Sequence, residues 1–263
     1  AEVGITGGNF LIADTGAVCV TENEGNARLS ATFPKTHIAI VGIEKVIPRL
    51  QDLDLFWPLL STSGTGQQVT VYNTIYTGPR QPLEKDGPEE MVVILLDNGR
   101  TNLLAQPDKR EALHCIRCGA CLNVCPVYKN IGGHTYEATY SGPIGSVITP
   151  HLSGLAENKH LSYASSLCGA CSSVCPVKIN IHNILLKNRQ QSVLEGFTDK
   201  EERRAIALWL HGMKHRWVWD LAPAAAKNWV LSRLLGQTGW SKRREAVQIA
   251  PKTFRQLWKE RKK

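Results

Sequence analysis

The sequence predicts an α/β unit at the N-terminal end, followed by an all-α unit organised around two groups of cysteines. Three observations lead to this fold class. Short apolar runs alternate with helical segments up to about residue 105. From Lys109 onward the segments are short and helical. A cysteine motif in that second part occurs twice, displaced by 50 positions.

Size and composition predict a soluble protein of more than one unit. The chain has 263 residues, 43% of them hydrophobic and 21% charged, which suffices for buried cores without disulfides. No apolar run approaches the roughly 18 residues of a membrane span. The first residues lack a basic and apolar leader, so we expect a chain that begins inside a domain. Closely spaced cysteines without an export signal predict a reducing, cytoplasmic location.

The formal charge of +8 is concentrated at one end of the chain. Residues 241–263 contain nine Lys or Arg and two Glu, which leaves a net charge of only +1 for the first 240 residues. A basic tail on a nearly neutral body does not indicate a nucleic-acid partner. The sequence predicts no nucleic acid and no transmembrane segment, with peripheral membrane contact left open.

The α/β unit is predicted over residues 1–105. Runs rich in β-branched and apolar residues predict strands at residues 9–13, 17–21, 37–42, 68–76 and 91–96. Helical spacing predicts helices over residues 43–50 and 53–60, and residues 77–90, with three prolines, form a loop. The dipeptide Pro107-Asp108 marks the boundary.

The all-α unit is predicted over residues 106–197, and a helical C-terminal region with the basic tail over residues 198–263. Residues 131–154 are Gly-rich and separate the two cysteine motifs. Residues 182–195 have helical spacing and end at Gly196. Thr198 and Glu201 form a capping box for a further helix that includes Trp209 and Trp217. Helical spacing favours a core position for several of the tryptophans at 209, 217, 219 and 229, with a face for a partner or a membrane surface as the alternative.

The first cysteine motif has the spacing of a bacterial ferredoxin. It runs Cys115-x2-Cys118-x2-Cys121-x3-Cys125 and is followed by Pro126. Two-residue gaps let a tight loop place three thiolates around one cubane cluster, while the fourth cysteine of such a run ligates the other cluster. Zinc also binds Cys-x2-Cys pairs, but seven cysteines with two Cys-Pro steps favour iron–sulfur clusters.

The second motif repeats the first except at one position. Cys168, Cys171 and Cys175 match in register, whereas Ser165 stands where the first cysteine is expected. The crossing rule assigns ligands to two clusters. Cluster 1 is predicted to be held by Cys115, Cys118, Cys121 and Cys175, and cluster 2 by Cys125, Cys168 and Cys171.

Cluster 2 therefore lacks one thiolate, and three alternatives are open. It is a 3Fe-4S centre, a 4Fe-4S centre completed by Ser165 or another non-cysteine ligand, or a 4Fe-4S centre whose open corner binds substrate. Cys19 lies in a strand-like run and is predicted to be a buried, inert thiol. No catalytic residue is predicted.

Several polar residues outside the motifs have candidate roles. His114 and Lys178 flank the motifs and can donate hydrogen bonds or charge to a cluster, with surface roles as the alternative. Residues 63–68, Ser-Gly-Thr-Gly-Gln-Gln, favour a turn over a phosphate-binding loop. Glu22 and Glu24 follow a strand and face either a substrate or solvent.

Sequence motifs along nearly the whole chain carry a resemblance to a known family. They include Gly-Gly-Asn-Phe-Leu-Ile-Ala-Asp-Thr-Gly, Phe-Pro-Lys-Thr-His-Ile, Leu-His-Cys-Ile-Arg-Cys-Gly-Ala-Cys and Tyr-Ala-Ser-Ser-Leu-Cys-Gly-Ala-Cys. Together they resemble the lactate-utilisation protein B family. Family members extend further at the N-terminus, so the chain is expected to correspond to their C-terminal portion. The resemblance implies that the first unit is part of a lactate-utilisation domain with a sugar-isomerase/CoA-transferase-like fold.

The resemblance also implies a function and partners. It implies an iron–sulfur subunit that carries electrons during oxidation of L-lactate to pyruvate, together with companion subunits of a lactate-utilisation complex. It implies that the missing cysteine at Ser165 is a family feature. The alternatives are a catalytic subunit that binds the hydroxy acid itself and a regulatory protein that binds nucleic acid through its basic tail.

Overall fold

In the computed structural model the chain forms two compact units, residues 1–197 and 198–263. The structure describes residues 1–22, 24–69, 72–215, 217, 221–236, 245 and 247–261. Asn23, Trp219 and the basic residues 242–244 of the predicted tail lie outside the described residues. The first unit contains both cysteine motifs.

The described strands all precede the cysteine motifs. They are β1 (Val3–Gly7), β2 (Phe10–Ile12), β3 (Val18–Glu22), β4 (Thr36–Gly42), β5 (Val46–Ile47), β6 (Tyr72–Tyr76) and β7 (Glu90–Leu96). The five strands predicted from the sequence are present, with shifted ends. The strand predicted over residues 68–76 is described as β6 from Tyr72; Gln68 and Val69 lie in a bend, and residues 70 and 71 are outside the described set. β1 was not predicted, since its glycines interrupt the apolar pattern.

These strands form two sheets. β1, β4 and β7 make a parallel sheet in the order β1-β4-β7, and the second, mixed sheet has the order β5-β2-β3-β6. Along β4 every second residue points inward, so Ala39 and Val41 are fully buried. On the other side of the parallel sheet, Ile5 is 62% exposed and Ile94, which pairs with Ile40, is 43% exposed. Parallel sheets are usually covered on both faces, so this is an uncovered apolar surface among the described residues.

The helices position the cysteine motifs and fill the C-terminal unit. They are α1 (Asn26–Thr32), α2 (Leu53–Thr65), α3 (Arg100–Leu104), α4 (Ala120–Val124), α5 (Pro126–Ile131), α6 (Gly142–Ser153), α7 (Leu155–Tyr163), α8 (Ala170–Ser173), α9 (Ile181–Leu194), α10 (Lys200–Lys214), α11 (Ala224–Gly236) and α12 (Phe254–Arg261). The helix predicted over residues 182–195 is confirmed as α9.

Helix α6 forms the centre of the cysteine-containing part. All its residues from Gly142 to Pro150 are buried, and it packs against α7 and α9. A Cβ atom at Gly145 would lie 1.9 Å from the carbonyl oxygen of Tyr140, so only glycine permits this approach. This helix was not predicted, because its glycines and Pro150 mask the helical pattern within the Gly-rich passage.

Two predictions in the α/β unit are wrong. Residues 43–50 are not a helix: Ile43–Lys45 is a single 3₁₀ turn, and Val46–Ile47 pairs with β2 as a parallel strand. Pairing with a neighbouring strand outweighs the local helical spacing here. Residues 63–65 belong to α2, which is followed by Gly66 in a left-handed conformation (φ 74°), so the first half of the predicted turn is the last helical turn.

The C-terminal unit also corrects two predictions. The N-cap of α10 is Asp199 rather than Thr198, and no side chain caps it, so the predicted capping box is absent. Trp209 on α10 is 59% exposed, Trp229 on α11 is 59% exposed, and Trp217, which follows the end of α10, is 65% exposed. They are therefore not core residues. No helix among the described residues is long and apolar enough to cross a bilayer.

Candidate metal-cluster site

Four cysteines line one cavity of about 260 Å³ in the first unit. Cys115, Cys118 and Cys121 come from the first motif, and Cys175 comes from the end of the second. Gly119, in a left-handed conformation (φ 81°), starts α4 and turns Cys121 toward the core. The sequence predicted this set of four residues as one ligand group, and the fold brings all of them to the same cavity.

Burial favours the protonated form of two thiols of this cavity, those of Cys118 and Cys121. Cys121 and Cys175 are 8% and 7% exposed. Burial raises the pKa of Cys121 to about 12. Burial also raises the pKa of Cys118, and the neighbouring Cys115 and Cys175 add to that rise. Thiolates are the form that binds iron, so a bound metal must supply the positive charge that holds these sulfurs deprotonated.

Backbone N–H groups are directed at the sulfur atoms. The N–H of Arg117 donates to Cys115 Sγ over 3.4 Å, and the N–H of Ile179 donates to Cys175 Sγ over 3.4 Å. Arg117 reaches this position with a positive φ of 64°, which is unusual for a residue with a side chain. Such N–H donors stabilise negative charge on cluster sulfurs.

A cluster of buried charges surrounds the backbone of Cys115. Arg100 Nε lies 2.7 Å from Glu44 Oε2, and both side chains are only 4% exposed. Arg117 Nη2 contacts the other oxygen of Glu44 at 3.3 Å. The Lys45 ammonium donates to the carbonyl oxygen of Cys115. Burial and the adjacent charge of Arg117 lower the pKa of Lys45 to about 8.

This charge cluster joins the α/β part to the first cysteine motif. Glu44 and Lys45 follow β4, while Arg100 begins α3. The guanidinium of Arg117 also lies 4.1 Å from the ring centre of Tyr140, which lines the cysteine cavity. Three cations and one carboxylate give the region a net positive charge beside four thiols. It could not be predicted from the sequence, because its members come from three segments between residues 44 and 117 and have no common motif.

The second group of cysteines is more open. Cys125 is the N-cap of α5, and its sulfur accepts the N–H of Tyr128 over 3.4 Å. Burial raises the pKa of Cys171, and the nearby Cys125 and Cys168 raise it further, so the three predicted thiols are within electrostatic range. Cys168 is exposed, and the N–H of Ala170 lowers its pKa.

Ser165 occupies the position in the second motif that Cys115 occupies in the first. The N–H of Leu167 donates to Ser165 Oγ over 3.2 Å, as the N–H of Arg117 does to Cys115 Sγ. Leu167 has φ 55°, close to the 64° of Arg117. The internal repeat therefore extends to backbone conformation, although Ser165 supplies an oxygen in place of sulfur.

The remaining candidates are exposed or have structural roles. The side chain of Lys178 is exposed, and the exposed His114 lines a larger cavity together with Cys115. Cys19 is fully buried in β3, and burial raises its pKa to about 11. Glu22 accepts the N–H groups of Ala27 at 2.6 Å and Arg28 at 2.9 Å, so its carboxylate caps α1. Among the described residues, no three His, Cys, Asp or Glu side chains converge on a single metal ion.

Comparison with known families gives two matches along the chain. Residues 1–96 match the LUD domain, and residues 111–179 match the 4Fe-4S dicluster domain. The chain is 44% identical, over its whole length, to lactate utilization protein B of Bacillus thuringiensis and covers 57% of that protein. It is 46% identical over 78% of its length to lactate utilization protein B of Shouchella clausii, of which it covers 43%.

The chain is thus similar to lactate utilization protein B along nearly all of its length. A further relative, the uncharacterized electron transport protein YkgF of Escherichia coli K12, is 42% identical over 98% of the chain. The chain covers 56% of that protein and thus spans about half the length of the curated relatives it matches. No solved structure gives a significant match.

These matches confirm the resemblance to lactate utilization protein B that the sequence motifs carry. They also confirm the coarse fold class, since a LUD domain with a parallel and a mixed sheet precedes a helical 4Fe-4S dicluster region. The four cysteines of the cavity lie within the residues that match the dicluster domain, as do the three cysteines of the second group.

Proposed function

We propose that this chain is an iron–sulfur electron carrier that acts during oxidation of L-lactate to pyruvate in the cytoplasm. It works with companion subunits of a lactate-utilisation complex. Its own residues hold, separate and tune two clusters, and the hydroxy acid is oxidised on a companion. The names of its relatives, which mention lactate utilization and electron transport, support this assignment.

The observation that carries the proposal is the cavity shared by Cys115, Cys118, Cys121 and Cys175. Three thiols of the first motif and the last thiol of the second surround a cavity and do not converge on a single point. This arrangement suits a cubane cluster better than a single zinc ion. We assign these four residues as ligands of cluster 1. A bound cluster supplies one-electron redox chemistry.

The protein environment favours a cluster with a raised reduction potential. Two features favour the reduced, more negative state of the cluster. One is the backbone N–H groups directed at sulfur, and the other is the net positive charge of the group formed by Lys45, Arg100, Arg117 and Glu44. Burial of Cys121 and Cys175 excludes water from the ligand sulfurs. These features suit electron transfer rather than a purely structural site.

For cluster 2 we assign Cys125, Cys168 and Cys171 as ligands. Ser165 is the candidate for the fourth position, since its oxygen corresponds to the sulfur of Cys115. A 3Fe-4S centre and a 4Fe-4S centre with a non-cysteine ligand both agree with this set. The capping role of Glu22 argues against a hydroxy-acid site at that residue.

The test is reduction of the clusters by lactate, followed by visible absorption and electron paramagnetic resonance. We expect no reduction when L-lactate is added to the isolated, cluster-loaded protein, and reduction once the companion subunits are added. D-lactate serves as the control substrate. Reduction by L-lactate without companions would refute the carrier role in favour of a catalytic one.

A further inference from the structure

A second cavity of about 440 Å³ lies directly beside the cysteine cavity. The two cavities share Cys115, Ile116 and Val177 in their linings, so one layer of residues separates them. Cavities of 300–1,000 Å³ are typical of small-molecule sites. A molecule bound here would lie next to the sulfur ligands of cluster 1.

The walls of this second cavity are apolar and aromatic on most sides. Phe10 and Phe56 both line it, with ring centres 5.2 Å apart. Ile47, Leu113 and Ile116 add buried or largely buried apolar surface. A planar, uncharged ring gains most from such walls, because it can pack against aromatic faces and leaves no ionic group without a partner.

One side of the cavity supplies hydrogen-bond donors. Lys45 and Arg100 line it and are 8% and 3% exposed. The charge of Arg100 is balanced by Glu44, whereas Lys45 donates to a carbonyl oxygen and retains N–H groups for a further acceptor. At the open side, Ile43, Val46 and Leu104 are 37%, 39% and 55% exposed and line the cavity. An apolar tail on a bound ring can leave the cavity by passing over these three residues.

We propose that this cavity binds the ring of a quinone, which takes electrons from cluster 1. A quinone combines a flat apolar ring, carbonyl acceptors for Lys45 and an apolar tail. Each quinone gains two electrons and two protons and becomes a quinol. The electrons come one at a time from the reduced cluster, which is reoxidised, and the protons come from water at the open side. This proposal rests on the proposed electron-carrier function and identifies its acceptor.

Other ligand classes fit the cavity less well. Lactate is too small and too polar to fill about 440 Å³ with walls of this kind. A flavin or nicotinamide nucleotide needs a phosphate cradle, but residues 63–65, the Gly-containing candidate, belong to α2 and do not line the cavity. The apolar walls, the adjacent thiols and the few donors together favour a quinone.

The test is binding of 2-heptyl-4-hydroxyquinoline N-oxide, a redox-inert quinone analogue, to the cluster-loaded protein. Its fluorescence is followed during titration. We expect saturable quenching by the unaltered protein, and about tenfold weaker binding, or 1.4 kcal/mol, for Leu104→Trp, which fills the open side. Leu55→Trp is the matched control, because Leu55 is 62% exposed and does not line the cavity. The affinity of Leu55→Trp for the quinone analogue should be unchanged.

Ile43→Trp is a second obstructing variant, in case Leu104→Trp does not fold. Iron content and cluster spectra are measured on every sample. Normal clusters with no binding by the unaltered protein, or equal binding by the obstructed and control variants, would overturn the quinone site and leave the electron-carrier proposal standing. Absence of iron after anaerobic reconstitution would instead refute the proposed function, whatever the analogue does.

Discussion

Neutralising Glu44 should lower the thermal stability of the first unit and disturb the first cysteine motif. Its carboxylate lies 2.7 Å from Arg100 and 3.3 Å from Arg117, and its side chain is 4% exposed. Glu44→Gln keeps the shape of the side chain but leaves two guanidinium groups without a balancing charge. Lys45, next in sequence, donates to the carbonyl of Cys115, so a shift of this segment reaches a proposed cluster ligand.

The expected magnitude follows from the burial of the pair. Removing one partner of a buried ion pair costs about 3–5 kcal/mol, and the retained amide oxygen puts Glu44→Gln at about 3 kcal/mol. For a unit of this size, each kcal/mol lowers the melting temperature by roughly 2–4 °C. We therefore expect a decrease of roughly 6–12 °C, with earlier loss of cluster absorbance.

The assay is anaerobic thermal melting of cluster-loaded protein, followed by far-ultraviolet circular dichroism and by visible absorbance. Glu89→Gln is the matched control, because Glu89 pairs with Arg80 at 3.5 Å with side chains 60% and 37% exposed. An exposed pair contributes about 0–1 kcal/mol. A melting temperature for Glu44→Gln within about 2 °C of the control would refute the importance of the buried charges.

Three further predictions concern the cysteine sites. Cys175→Ser should remove the spectral signature of cluster 1, and Cys125→Ser that of cluster 2; loss of the opposite signal in paramagnetic resonance would reject the ligand assignment. Ser165→Cys should complete the second site, so that any oxidised 3Fe signal disappears and iron content rises to about eight per chain; a persistent 3Fe signal would contradict the equivalence of Ser165 and Cys115. Gly64→Ala should destabilise the protein by about 1 kcal/mol in denaturant titrations, because its Cβ would lie 3.0 Å from the Cys118 carbonyl oxygen. The control Gly212→Ala meets nothing within 4 Å and should be neutral or stabilising. Equal effects of the two substitutions would show that α2 does not pack tightly against the first cysteine motif.

The cysteine sites could be predicted because their information is local. Two-residue spacings fix which thiols one loop can turn toward a common space, and the repeat fixes where the second loop ends. The crossing rule, applied to those spacings, predicts that Cys175 joins the first motif, and the structure brings it to the same cavity. The position of Ser165 follows in the same way, since the repeat keeps its register.

Features that depend on contacts across the chain could not be predicted in this way. The apolar residues around Val46 and Ile47 have helical spacing in the sequence, but pairing with β2 makes these two residues a strand. Helix α6 was hidden by glycines that its close packing requires, as at Gly145. The charges around Cys115 come from three separate segments, so no local pattern marks them.

The most direct test of the account is the iron and acid-labile sulfide content of anaerobically prepared protein, with electron paramagnetic resonance of its oxidised and reduced forms. If the chain holds two iron–sulfur clusters, we expect about seven or eight irons per chain and two distinguishable centres. About seven irons with an oxidised 3Fe signal, or about eight without one, would decide between the alternatives for cluster 2. Zinc in place of iron, or about four irons in one centre, would contradict the account of two iron–sulfur clusters.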